Sequence, residues 1–194
     1  MQKRNPTLSA IDFVIKAAAA ALQAVPEVNV QYQEGVSRKR SSVDISVAVP
    51  TPSGLISPSI VGADRLGVHD ISKNRESLVR RAQENTLSVG EVQGATFGIF
   101  NLGMFESVSH FTAVVTEPQT AVLAVSAPVA ALGSHFNLTS RFTLTLSFDG
   151  RAIEKEAAGQ FLSHLSACLA DEDVFLAAPL TNQFDTDVDY SRLL

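Results

Sequence analysis

The sequence predicts an α/β or α+β domain with helices packed on a mixed or largely antiparallel sheet. Three observations predict it. Short runs rich in β-branched and aromatic residues recur between clusters of Gly, Pro, Asn and Ser, the punctuation of strands. Three longer segments carry apolar residues at helical spacing. The 194 residues are 45% hydrophobic, enough to bury one core.

The elements follow in chain order. Ser9-Ala10-Ile11-Asp12 sets a hydroxyl three residues before a carboxylate, the arrangement of a capping box. A helix starts there, buries Ile11, Ile15, Ala18, Leu22 and Val25, and ends by about Val25 because Pro26 disfavours helical geometry before it. VNVQY at 28–32 reads as a strand, and VDISVAV (43–49), TPSG and LISPSIV (55–61) as a hairpin with one buried face. HDISKNRESLVRRAQENTL is an amphipathic helix with Ile71, Leu78 and Ala82 inward and Lys73, Arg75, Arg80 and Arg81 solvated. ATFGIF, FTAVV, AVLAVS and RFTLTLSF are four further strands, with NLGMF (101–105) a turn. From Arg151 onward, Ile153, Ala157, Phe161, Leu165 and Cys168 mark a last helix. The count is three helices and about seven strands. Residues 1–177 form the core domain, and 178–194 form an acidic, aperiodic tail ending in Leu193-Leu194.

Composition narrows the function classes. The formal charge of −5 is dispersed, and the one basic cluster, Arg38-Lys39-Arg40, lacks interleaved aromatic residues, so nucleic acid is not an expected partner. No run is long and apolar enough to span a bilayer, so no membrane is expected either. Cys168 is the single cysteine, which leaves no internal disulfide and fits a reducing compartment, and its place on the apolar stripe of the last helix puts the thiol in the core. His69, His110, His135 and His164 show no metal-ligand spacing, so no metal is expected. His69 falls near a helix N-terminus, where an exposed neutral imidazole is favoured, and His164 falls on a helix surface. The residues alone disclose no catalytic constellation.

Five segments taken together resemble the C-terminal catalytic domain of the dihydrolipoamide acyltransferases of 2-oxoacid dehydrogenase complexes. They are SAIDFVIKAAAAALQAVPEVN, VDISVAVPTPSGLISPSIVGAD, EVQGATFGIFNLGMF, FTAVVTEPQTAVLAVSAPV and LTLSFDGRAIEKEAAGQFL, in the family's order and covering roughly residues 9 to 170. The resemblance implies a chloramphenicol-acetyltransferase-like fold, a mixed sheet with helices, assembled as homotrimers with active sites between subunits. It also implies that the chain starts late, without the family's first strand and arm.

In active members of the family, an Asp-His-Arg-x-x-Asp-Gly motif follows the strand that TLTLSF matches, and its histidine is the general base on the thiol of coenzyme A. Such a base typically contributes ~10²–10⁴-fold. This sequence instead reads Asp149-Gly150-Arg151-Ala152-Ile153-Glu154-Lys155. Gly150 stands at the base position, Glu154 replaces the aspartate and Lys155 the glycine, while Asp149 and Arg151 keep the motif's structural positions. Thr112 matches the family's oxyanion-stabilising hydroxyl, and His110 is the nearest histidine to it in sequence.

The resemblance thus implies a non-catalytic member, with no intact catalytic set and doubtful coenzyme A binding. The lipoyl group is expected on an upstream domain. Implied partners are the dihydrolipoamide acetyltransferase core and, through an upstream domain, dihydrolipoamide dehydrogenase. The implied location is the mitochondrial matrix, with bacterial cytoplasm as the alternative. An active or weakly active acyltransferase remains the alternative function. The Leu193-Leu194 end is expected to dock on a neighbouring trimer.

Overall fold

The computed structural model describes residues 8–103, 108–132 and 138–171. Helix α1 spans Ala10–Ala24 behind the expected capping box: the Ser9 hydroxyl accepts from the Ile11 N–H, and the Asp12 carboxylate accepts from the Ser9 N–H at 2.9 Å. Its run Ala17–Ala21 is buried throughout, so α1 is not an amphipathic surface helix but an internal one. Small side chains let α4 (Lys155–Ala170), α2 (Val68–Gln83) and a short 3-10 turn (Ala63–Arg65) close around it.

The central sheet has five strands in the order β11-β8-β7-β3-β6. They are β3 (Ile45–Val47), β6 (Ser59–Ile60), β7 (Phe97–Asn101), β8 (Ala121–Val125) and β11 (Leu144–Phe148). β3, β7 and β8 run parallel, and β6 and β11 flank them antiparallel, so the sheet is mixed as expected. Parallel strands are covered on both faces and read as continuous apolar runs. Every residue of β8 is accordingly buried. Gly98 in β7 permits a close approach, since a Cβ there would lie 2.9 Å from the Gln119 amide oxygen and 3.3 Å from a Val122 methyl. Helix α4 packs across β7, with the Phe97 and Phe161 rings 5.2 Å apart.

Outside this sheet lie three two-stranded ribbons: β1 (Val30–Gln33) with β2 (Val36–Lys39), β4 (Val49–Thr51) with β5 (Gly54–Ile56), and β9 (Val129–Leu132) with β10 (Leu138–Arg141). The first turns through Glu34 and Gly35, with φ of 52° and 79°, the doubly left-handed pair of a tight hairpin. Helix α3 (Val89–Val92) completes the described elements.

Four expectations are corrected. Phe111–Val115 forms no strand among the described residues, although its exposure alternates. No strand among the described residues pairs with it. The segment 43–49 breaks into β3 and β4 at Ala48, and β3 is buried on all three residues, not on one face: Ile45 and Val47 join the core, and on the other face the Gln119 amide covers Ser46, donating to its hydroxyl at 2.7 Å. Arg75 is not solvated, but bonds the fully buried Asp12 through its Nε at 2.6 Å and Nη2 at 3.1 Å. The described residues carry four α-helices and eleven short strands, more than the sequence pattern showed, because β2, β9, β10 and α3 lack an apolar period.

Candidate functional site

Strand β11 ends at Phe148, and the chain then turns through Asp149–Ile153 into α4. Backbone bonds fix the turn: the Asp149 N–H donates to the Thr120 carbonyl at 2.8 Å, and the Ala152 and Ile153 N–H groups both donate to the Asp149 carbonyl at 3.0 Å. The Asp149 carboxylate also receives the Arg151 N–H at 2.9 Å. The Arg151 guanidinium returns to the same carboxylate, with its Nη2 2.6 Å from Oδ2. Those bonds hold the Asp149 carboxyl below its usual range and raise the Arg151 guanidinium, with a smaller contribution from Glu117.

Arg151 is further oriented by two residues that the local sequence does not announce. Its Nη2 lies 3.2 Å from Glu117 Oε1, and its guanidinium carbon lies 4.4 Å from the centroid of the Tyr32 ring. Both partners are remote in sequence, so nothing near the motif marks them. Asp149 and Arg151 thus keep the turn's shape by contacts that require no chemistry at Gly150.

Gly150 is exposed, has no positive φ, and leaves open space where a Cβ would stand. Gly150, the position at which the resemblance expects the base, thus has room for a Cβ. Glu154 occupies the N-cap of α4 with extended backbone angles, yet its side chain caps no N–H. Lys155 is the first helical residue and is exposed. Thr112 is also exposed, and no hydrogen bond or ion pair among the described residues joins it to Gly150, Glu154 or Lys155.

Two cavities flank the turn. One of about 570 Å³ is lined by Gln31, Gln33, Gln93, Thr116, Glu117 and Gln119, and is largely polar. The other, of about 250 Å³, lies between the β1–β2 hairpin and the start of α4, with Val30, Ser37, Lys39, Ala152, Glu154 and Ala157 on its walls.

The remaining candidates lie elsewhere. His110 is exposed beside Thr112, His69 is exposed on α2, and His164 is half-buried on α4. His135, Leu193, Leu194 and the tail 178–194 lie outside the described residues. Cys168 is buried, and desolvation, with Asp171 adding to it, pushes its thiol pKa up, the reverse of what a nucleophile needs. Among the described residues, no group of three His, Cys, Asp or Glu side chains is placed to hold a metal. No described helix is long and apolar enough to cross a membrane.

Comparison with known proteins gives the family. The model of the 2-oxoacid dehydrogenases acyltransferase (catalytic domain) matches residues 1–177. The dihydrolipoyllysine-residue acetyltransferase component of the mitochondrial pyruvate dehydrogenase complex of Caenorhabditis elegans is 39% identical over 166 residues, 84% of this chain and 33% of the relative. The mitochondrial pyruvate dehydrogenase protein X component of Mus musculus is 38% identical over 175 residues, 86% of this chain and 35% of the relative. The chain thus spans about a third of these relatives' length.

Among solved structures, the dihydrolipoamide acetyltransferase of Azotobacter vinelandii superposes with a TM-score of 0.78 at 29% identity, over 88% of this chain and 72% of that one. That structure addresses the role of a serine, a histidine and an asparagine in the enzyme's catalytic mechanism. Chloramphenicol acetyltransferase, at 10% identity and a TM-score of 0.56 over 83% of this chain and 78% of that one, shares the fold. With a mixed five-stranded sheet and a family model that spans most of its length, this chain belongs to the 2-oxoacid dehydrogenase acyltransferase family.

Proposed function

We propose that this chain is a non-catalytic core subunit of a pyruvate dehydrogenase complex, of the protein X kind, that assembles with the dihydrolipoamide acetyltransferase core. Gly150 carries the proposal. The base position holds no titratable group, although the turn around it is intact and has space for a side chain. A thiol near pKa 8.5 is mostly protonated at neutral pH, so transfer to coenzyme A without a base is slow. Glu154 and Lys155 depart from the motif as well, and three changes in one turn fit loss of the reaction better than one tolerated exchange.

Assembly is the role that remains, as self-trimerisation and docking on the acetyltransferase core. Phe111–Val115 supports it, being a β-rich segment with Val114 79% exposed and no ladder partner among the described residues, as expected of an element completed by a neighbouring subunit. Leu193-Leu194 serves as a further docking element. Recruitment of dihydrolipoamide dehydrogenase, the lipoyl group and a mitochondrial matrix location belong to the whole protein in this reading. Co-purification tests it: the native protein should come down with pyruvate dehydrogenase subunits and sediment as trimers or larger assemblies. A monomer without those subunits would overturn the assignment.

A second reading, a weakly active acyltransferase, draws on Thr112 and His110, both exposed and two residues apart. It requires that any turnover by the chain be lost in His110→Ala.

A further inference from the structure

The walls of the 570 Å³ cavity beside the turn select for one kind of ligand. It lies between β1, the loop 116–119 and the segment 92–95 that leads into β7, and Phe100 gives it an aromatic wall. Its volume falls within the ~300–1,000 Å³ of small-molecule sites. Among the described residues no Lys, Arg or His lines it, and Glu117 is its one carboxylate.

Two of the glutamines in its wall have their amide orientation fixed by what their partners can accept. The Gln31 Nε2 donates to the Gly94 carbonyl at 2.9 Å, and a carbonyl has no proton to give. The Gln119 Nε2 donates to the Ser46 hydroxyl at 2.7 Å. That hydroxyl's one proton goes to the Phe97 carbonyl at 3.4 Å, so it must accept from Gln119. Each amide thus spends a nitrogen bond on the protein, and its oxygen Oε1 meets no donor among the described residues.

Glu117 repeats the pattern with a charge. Its Oε1 takes the Arg151 Nη2 at 3.2 Å, while its Oε2 meets no donor among the described residues. Arg151 reaches Glu117 from outside the lining and is already matched by Asp149 at 2.6 Å. Arg38, the cross-strand partner of Gln31, also stays outside the lining and is exposed, where solvent screens it. The wall therefore offers three open acceptors, one of them ionised, and an aromatic face. A phosphate or carboxylate would meet no cation there.

We infer that this cavity binds a small organic cation with several N–H donors, an aliphatic diamine or polyamine. Its ammonium groups donate to the Glu117 carboxylate and to the Gln31 and Gln119 oxygens, and its methylene chain lies against Phe100, Val92 and Pro118. Because Glu117 also holds Arg151, an occupant is coupled to the turn through one shared carboxylate. The site stands apart from the assembly reading and does not depend on it.

Titration of the full chain with spermidine, followed by amide NMR shifts at about 0.15 M ionic strength, tests the inference. The Gln31, Gly94, Thr116 and Gln119 amides are expected to shift with a Kd on the order of a millimolar. An uncharged diol and a dicarboxylate of similar length should leave them unmoved. Glu117→Gln, which keeps an acceptor for Arg151, is expected to weaken binding about fivefold, the worth of one exposed ion pair. Should that change disturb the turn, Thr116→Lys sets a competing ammonium at the exposed rim and should abolish the shifts. Equal affinity in the native, Glu117→Gln and Thr116→Lys chains would overturn the proposal. So would equal shifts with the diol or the dicarboxylate, or spermidine shifts confined to other parts of the chain.

Discussion

Asp12 is fully buried, and a buried carboxylate is tolerated only when its charge and its lone pairs are matched. Arg75 supplies two charge-assisted bonds from α2, and the Ser9 N–H supplies a third, so one side chain both caps α1 and ties it to α2. Removing the guanidinium strands the charge. Arg75→Met is expected to lower the unfolding free energy by about 3 kcal/mol in urea titrations. Gly150 is the opposite case, exposed and surrounded by open space. Gly150→His should therefore change stability by no more than about 0.5 kcal/mol on the same measurement.

Among the elements, α4 starts from a cap that does not cap. Glu154 has the extended backbone of an N-cap, but its carboxylate meets no N–H of the first turn, and Lys155 adds a cation at the positive end of the helix dipole. Aspartate, one methylene shorter, is among the best N-caps, so Glu154→Asp is expected to stabilise the protein by about 1 kcal/mol, read as a raised Tm. Helix α3 shows a cap that works. Glu91 receives the Ser88 N–H at 3.0 Å and the Arg81 guanidinium, chiefly the latter, and these bonds push its pKa from 4.5 down to about 2. Because the folded value lies below the unfolded one, this contribution is complete above pH 4.5 and is lost as pH falls through about 2. The Ser88 amide should thus lose exchange protection over that window, and Glu91→Gln should remove the pH dependence.

The same comparison shows what the sequence made legible. α1, α2 and α4 could be placed because a cap, a proline or an apolar stripe marks each within a few residues. The ladder β3-β7-β8 could be found as strands but not ordered, since neighbours in a parallel sheet are set by crossovers and not by local pattern. FTAVV has every local sign of a strand and lacks only a partner among the described residues. At the candidate site, Asp149, Gly150 and Arg151 were readable because they are contiguous. Tyr32 and Glu117, which hold Arg151, were not, because folding alone brings them there.

At the scale of the whole molecule, the five-stranded sheet, the buried α1 and the turn after β11 preserve an acyltransferase fold around an altered motif. No hydrogen bond among the described residues joins Thr112 to Gly150, and the proposed reading has a site made from them formed only where subunits meet. In the proposed reading, the fold is kept where it supports assembly and has changed where it would support transfer. Transacylation from acetyl-dihydrolipoamide to coenzyme A by the purified assembled protein, followed as initial rate, tests this most directly. The account predicts a rate at the uncatalysed background for the native chain. Turnover by the native chain at the rate of an ordinary family acyltransferase would contradict it.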